Sequence, residues 1–256
     1  MLADSGIRIQ LCGRFLIRRG SERLDEKLRG RQARMLFAFL ILNRTRFVAR
    51  DELGEAIWPY DLPSAPGVAL RALLSNLRRC LGADSLIGGS EMRLGLPTGS
   101  WVDVEAAEEA IHLGEAIAAQ GDWVRAYGPA HVARYISERA FLVGHEAPWI
   151  DERRRELEEL RMRALECCAA VLLGIGGTEL PTAERTARSL IDAAPLRESG
   201  YRLLMEILDA RDDRSEALRT YERLRCMLRD ELGTSPGPGA RAIHERLLGQ
   251  DVGREH

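Results

Sequence analysis

One stretch, Val68-Ala-Leu-Arg-Ala-Leu-Leu-Ser-Asn-Leu-Arg-Arg-Cys-Leu81, constrains the fold of this chain more than any other. At 3.6 residues per turn, Leu70, Leu74, Leu77 and Leu81 share a narrow stripe, with Leu73 at its edge. Arg71, Ser75 and Arg78 share a different face, and Arg79 lies beside them. The pattern predicts a helix anchored by leucines that presents guanidinium and hydroxyl groups outward. Arginine forks bind phosphate oxygens and the O6/N7 edge of guanine, and serine can donate to either. A core helix with a merely solvated polar face has the same pattern, so the setting decides between the two.

That setting is electrostatically lopsided. The net charge is −2 overall, yet residues 1–102 hold 16 basic against 10 acidic side chains, leaving 21 basic against 29 acidic in 103–256. A basic amino half joined to an acidic carboxyl half predicts two domains with different partners, the basic one suited to a polyanion. The 45% hydrophobic content supports well-buried cores, and no run approaches the roughly 18 apolar residues of a membrane span. Met1-Leu-Ala-Asp-Ser-Gly6 lacks the basic end and apolar stretch of a secretory signal, so the expected location is cytoplasmic, with no membrane partner.

In the amino half, Ile7–Cys12 alternates apolar and polar, the period of a half-buried strand. Phe15–Arg18 resumes it beyond Gly13, and a short third strand is expected near Arg23-Leu24. Arg31–Leu42 changes to a helical period, with Met35, Leu36, Phe39, Leu40 and Leu42 on a broad apolar face. A second helix is predicted over Arg50–Trp58, stopped by Pro59, with Ala49 at its entry in place of a capping hydroxyl. Pro59, Pro63 and Pro66 stiffen the loop into the arginine-bearing helix. Beyond Gly82, Leu86-Ile87 and Met92–Leu94 flank Gly88-Gly89-Ser90, a hairpin signal. Strands, three helices and a hairpin make the layout of a winged helix-turn-helix, whose third helix enters the major groove.

From Val104 onward helical periods follow one another, broken at Gly121-Asp122, Pro148, Gly174–Gly177, Pro195 and Pro236-Gly-Pro. Thr182–Leu190 and Glu216–Leu224 repeat weakly, with Ala183 over Ala217 and Leu190 over Leu224 at an offset of 34, the tetratricopeptide period. A long helix is expected over about Trp149–Leu173. Trp101, Trp123 and Trp149 read as packing residues of helix hairpins. The predicted class is mainly α with a small β part, a winged helix-turn-helix domain (1–102) followed by an α-helical tetratricopeptide-like domain (103–256).

The segments Gly30-Arg-Gln-Ala-Arg-Met-Leu-Phe-Ala-Phe-Leu40, Phe47-Val-Ala-Arg-Asp-Glu-Leu-Gly-Glu-Ala-Ile-Trp-Pro59 and Leu77-Arg-Arg-Cys-Leu-Gly82 resemble the OmpR-type DNA-binding domain as found in the SARP family of antibiotic regulatory proteins. Where that family usually has Gly-Tyr-Arg in the wing, this chain has Glu91-Met92-Arg93, and Gly67 stands where a helix former is usual. Pro148-Trp-Ile-Asp-Glu-Arg-Arg-Arg-Glu-Leu, Tyr201–Met205, Glu216–Arg225 and Asp230–Pro236 resemble the family's bacterial transcriptional activation domain. Together the matches span about residues 5–249.

The resemblance implies a transcriptional activator that binds tandem direct repeats in double-stranded promoter DNA, self-associates there, and recruits RNA polymerase holoenzyme for a specialised-metabolite gene cluster. By position in such a fold, Arg71, Ala72, Ser75 and Asn76 are the candidates for base edges. Arg50, Arg78, Arg79, Ser90 and Arg93 are the candidates for phosphate, and Tyr60 and Asp61 for polymerase contact. No catalytic constellation is legible: Gly174-Ile-Gly-Gly177 has no preceding strand and no following Lys-Ser/Thr. Neither cysteines nor histidines stand at metal-ligand spacing, and no cofactor is expected. The five cysteines read as buried free thiols. The alternative is a helical-repeat interaction or ligand-sensing scaffold whose winged domain binds DNA weakly.

Overall fold

The computed structural model describes residues 6–249; Met1–Ser5, part of the stretch read for a secretory signal, and Gln250–His256 lie outside the described residues. In chain order the elements are β1 (Ile7–Gln10), β2 (Leu16–Arg19), β3 (Glu22–Arg23), α1 (Arg31–Leu42), β4 (Val48–Ala49), α2 (Arg50–Ile57), α3 (Pro66–Leu81), β5 (Leu86–Gly88), β6 (Glu91–Leu94) and β7 (Trp101–Val102). The helices α4 (Asp103–Ala118), α5 (Trp123–Ser137), α6 (Pro148–Ile175), α7 (Leu180–Ala193), α8 (Glu198–Ala210), α9 (Arg214–Leu232) and α10 (Pro238–Gly249) follow. The chain is mainly α with small sheets, and no helix among the described residues is long and apolar enough to cross a membrane. Its contacts divide it into two compact units, Met1–Ala106 with Arg139–Leu157, and Ala107–Glu138 with Glu158–His256.

The first unit has the winged helix-turn-helix arrangement. Its opening sheet runs β3-β2-β1-β7, with Ile9 opposite Ile17 and Val102, all three buried. β7 went unread because two residues cannot display a period, and it pairs parallel to β1. Asp103 fixes the turn out of β7. Its buried carboxylate accepts hydrogen bonds from the amides of Leu11 (3.0 Å), Cys12 (2.8 Å) and Val104 (2.9 Å), satisfying donors that would otherwise be orphaned in the core.

The segment 139–157 completes this unit, so the division interleaves where the sequence suggested a single cut after Val102. The Gly13 amide donates to the Ala140 carbonyl (2.8 Å) and the Leu142 amide to that of Leu11 (3.0 Å). Arg154 binds the carbonyls of Phe141, Leu142 and His145 at 3.3, 3.3 and 2.9 Å. Trp149, expected in a helix hairpin of the carboxyl half, instead sets its ring edge-on to Phe39 (5.2 Å) and donates Nε1–H to the Ala56 carbonyl (3.0 Å). The segment is thus tied to the unit by two backbone pairings, one aromatic contact and one indole hydrogen bond, with Arg154 bracing it internally, and periodicity encodes none of these.

The long helix α6 ends two residues later than the period suggests, running through Gly174, and the other helix breaks fall at the glycines and prolines named above. Trp123 does pack as expected: a Cβ on Gly174 would lie 2.3 Å from its ring, so the glycine is the slot the indole occupies. The 34-residue repeat is real in space. Ala183 and Ala217, and Leu190 and Leu224, are wholly buried equivalents on α7 and α9. Thr186 and Thr220 are a third such pair, each donating Oγ1–H to the carbonyl four residues back, at 2.9 and 2.8 Å. Burial pushes Cys168 up to about 12 and Cys167 to about 11, and in the first unit Cys12 to about 12, leaving inert protonated thiols.

Candidate nucleic-acid interface

α3 begins two residues before the stretch that predicted it. Pro66 sits in the first turn, where its missing N–H costs nothing, and Gly67 follows in open space. Leu70, Leu74, Leu77 and Leu81 are all buried, as the stripe requires, and Cys80 joins them, donating Sγ–H to the Leu24 carbonyl at 3.2 Å. The carboxyl end is fixed firmly. Arg19 Nη2 donates to the Leu81 carbonyl (2.7 Å), and Gly82 turns the chain at φ +112° while its amide reaches the Arg78 carbonyl (2.8 Å). Both devices satisfy terminal carbonyls that the helix itself leaves open.

Opposite this anchored face, Arg71, Ala72, Ser75 and Arg79 are exposed, and Asn76 and Arg78 are half-exposed. Among the described residues, the side chains of Arg71, Ser75, Asn76, Arg78 and Arg79 have no hydrogen-bond or ion-pair partner. Arg78 and Arg79 also suit the negative end of the helix dipole, an effect of about 0.3–1 kcal/mol that accounts for two charges but not for Arg71, two turns earlier.

The wing is a three-stranded sheet, order β4-β6-β5, one strand more than the hairpin signal predicts. β4 is two residues long and pairs Val48 with Met92 and Ala49 with Glu91. Met92, standing where the family usually has an aromatic, is wholly buried, so a flexible thioether fills that packing position. Gly88 is obligatory at the tip, because at φ +114° a Cβ would lie 2.1 Å from the Glu91 carbonyl oxygen. Ser90 is exposed beside it and unpartnered among the described residues.

The two remaining phosphate candidates are occupied within the protein. Arg50 donates Nε–H to the Gly89 carbonyl at 2.9 Å, and Arg93 lies over the ring of Phe47, 4.9 Å from its centroid. Both hold the wing against the start of α2. Phe47, which the sequence reading did not single out for any role, is 44% exposed and serves as the platform.

The loop between α2 and α3 carries Tyr60, 73% exposed, and Asp61, also exposed. It borders a shallow groove of about 410 Å³ between Trp58, Pro59 and Leu62 on one side and Trp149 on the other, with Glu52 and Glu55 at the rim. The structure therefore brings the base-edge candidates onto one face of one helix. Arg50, Ser90 and Arg93 gather at the wing, and Tyr60 and Asp61 stand on a separate loop.

The family model described as the bacterial transcriptional activator domain matches residues 102–248. The chain is 31% identical over 252 residues to the regulatory protein AfsR of Streptomyces griseus, covering 96% of this chain and 25% of that protein. To AfsR of Streptomyces coelicolor it is 33% identical over 223 residues, covering 86% and 22%. It thus spans about a quarter of the length of these relatives. Among solved structures, EmbR of Mycobacterium tuberculosis, determined with a low-affinity phosphopeptide, shares the fold with a TM-score of 0.83 at 24% identity, over 95% of this chain and 65% of that one.

Proposed function

Because the chain belongs to the SARP family of transcriptional regulators, we propose that it is a sequence-specific activator that binds tandem direct repeats in promoter DNA and recruits RNA polymerase holoenzyme. The first unit, residues 1–106 with 139–157, supplies DNA binding, and the second unit supplies activation and contacts between neighbouring copies on the repeat. α3 lies in the major groove, where Arg71, Ala72, Ser75 and Asn76 meet base edges and Arg78 and Arg79 meet phosphate. Ser90 at the wing tip, with Arg50 and Arg93 behind it, follows the backbone. Tyr60 and Asp61 face polymerase. The targets lie in a specialised-metabolite gene cluster, and the protein acts in the cytoplasm, on the nucleoid when bound. No catalytic step is assigned to it.

The observation that carries this reading is the contrast between the two faces of α3. One is locked into the core by four leucines, while the other displays three arginines that nothing among the described residues neutralises. Surface guanidinium groups left unpaired along one helix face are the electrostatic footprint of a phosphate and base-edge reader.

A gel-shift titration tests it. Two winged domains docked head to tail need half-sites about one helical turn apart, roughly 10–11 bp. A duplex with that spacing binds cooperatively and in a salt-dependent manner, and moving one half-site by about 5 bp, half a turn, abolishes the cooperativity. Little duplex affinity at any salt would replace this reading with that of a helical-repeat scaffold.

A further inference from the structure

The repeat in the second unit carries charge as well as core. Arg185 on α7 and Arg219 on α9 are 34 residues apart, at the same repeat position as one another, and both are exposed. Each is held by the residue three before it. Arg185 Nη2 donates to Thr182 Oγ1 (3.0 Å), and Arg219 Nη1 lies 3.3 Å from Glu216 Oε2. Glu216 also receives Arg223 (3.3 Å) and, from α7, Arg188 (3.9 Å). Arg188 and Arg211 meanwhile share Glu184.

Four arginines therefore share two glutamates, and among the described residues Arg185 has only a hydroxyl. This surplus of positive charge stands out in residues 103–256, where acidic side chains outnumber basic ones 29 to 21. Arg219 and Arg223 are more than half exposed, and ion pairs of exposed groups are worth only about 0–1 kcal/mol, so an incoming carboxylate competes with Glu216 for these two arginines. Arg219 and Arg223 also stand at the rim of an open groove of about 750 Å³ between α9 and α10. Leu218, Cys226, Leu248 and the His244 ring, stacked 3.9 Å from Tyr221, line it together with Glu216 and Glu222, the latter paired with Arg225.

We propose that this arginine ladder and the adjoining groove bind an extended acidic peptide segment of a partner protein. Its carboxylates pair with Arg185, Arg219 and Arg223, and one apolar side chain enters the groove. Repetition supports a chain-like ligand, because equivalent arginines on successive helical hairpins present charge at a regular interval. Planar guanidinium forks match carboxylates, and Leu218 and Leu248 give the groove apolar surface for one side chain of the ligand. The proposal does not depend on the reading of α3.

Fluorescence anisotropy on the full chain tests it, with a labelled synthetic peptide alternating glutamate pairs and leucine as the probe. Saturable binding is expected. It weakens about tenfold for each lost charge-assisted pair, about a hundredfold in the double variant Arg185→Ala with Arg219→Ala, and less in the corresponding lysine variant. A peptide with serine for leucine binds more weakly to the unaltered protein, and one with lysine for glutamate does not bind. Equal binding of the lysine peptide overturns the proposal, as does unchanged affinity in the alanine variant. So does a variant that keeps peptide affinity but loses duplex DNA, since the ladder is then a second nucleic-acid surface. Both arginines are solvent-facing, so an unchanged far-UV spectrum is expected. The two peptide controls decide the matter on the unaltered protein alone.

Discussion

Arg50 donates its Nε–H to the carbonyl oxygen of Gly89, tying the first turn of α2 to the tip of the wing across 39 residues of sequence. A guanidinium spent on a backbone carbonyl holds the wing and offers less to phosphate. Replacing it with Ala removes one charge-assisted hydrogen bond at an exposed site. The expected loss of stability is at most about 1 kcal/mol, and duplex affinity falls several-fold as the tip loosens. The slope of log affinity against log salt should stay nearly constant. A slope flatter by about one would instead count Arg50 among the phosphate contacts.

Arg71 separates from Arg78 and Arg79 by the same measurement. Alanine at either Arg78 or Arg79 weakens binding to all duplexes alike and flattens the salt slope by about one. Alanine at Arg71 costs about 1–3 kcal/mol on the preferred site and relaxes its sequence preference. Equal losses on specific and random DNA would remove Arg71 from base reading.

The anchored face of α3 was legible because burial of Leu70, Leu74, Leu77 and Leu81 follows helical period, and period is visible in a single sequence. The free face was legible from the same helical spacing; that its arginines lack partners among the described residues is a fact of three dimensions. Arg50 and Arg93 look like any basic residue beside a wing until Gly89 and Phe47 arrive next to them. β4 and β7, two residues each, are too short to carry a pattern. Trp149 was legible as a packing residue, but its partners Phe39 and Ala56 lie about a hundred residues upstream, beyond the reach of any local rule.

His145 gives the first unit a pH dependence. It is buried, its Nδ1 lies 3.1 Å from the Val143 carbonyl, and its Nε2 has no partner among the described residues. Burial, and then the cations Arg31 and Arg34, hold its pKa below the ordinary 6.5. Between that lowered value and 6.5 the unfolded chain binds a proton that the folded site refuses, so stability falls as pH drops below 6.5 and levels off beneath the folded pKa. Urea midpoints at a series of pH values should show this, and His145→Gln should flatten the segment of the profile. An identical profile in the variant would assign the dependence to other groups.

The interleaved first unit predicts how the chain tolerates cutting. A fragment ending at Ala106 keeps α3 and the wing but loses 139–157, which contributes the buried side chains of Phe141, Leu142 and Ile150. It also strips the ring of Trp149 from Phe39 and leaves the carbonyl of Ala56 without its indole donor. Burial of a large apolar side chain stabilises by about 1.5–3 kcal/mol, and domains are stable by only about 5–15 kcal/mol in total. The fragment should therefore lose its sharp urea transition and its near-ultraviolet signal, and bind duplex DNA poorly at any salt. A synthetic peptide spanning residues 139–157, added in trans, should restore both the transition and the binding, because that segment belongs to the same compact unit. Cooperative unfolding of the fragment without the peptide would show that α1, α2, α3 and the two sheets suffice, and that the segment merely rests on them.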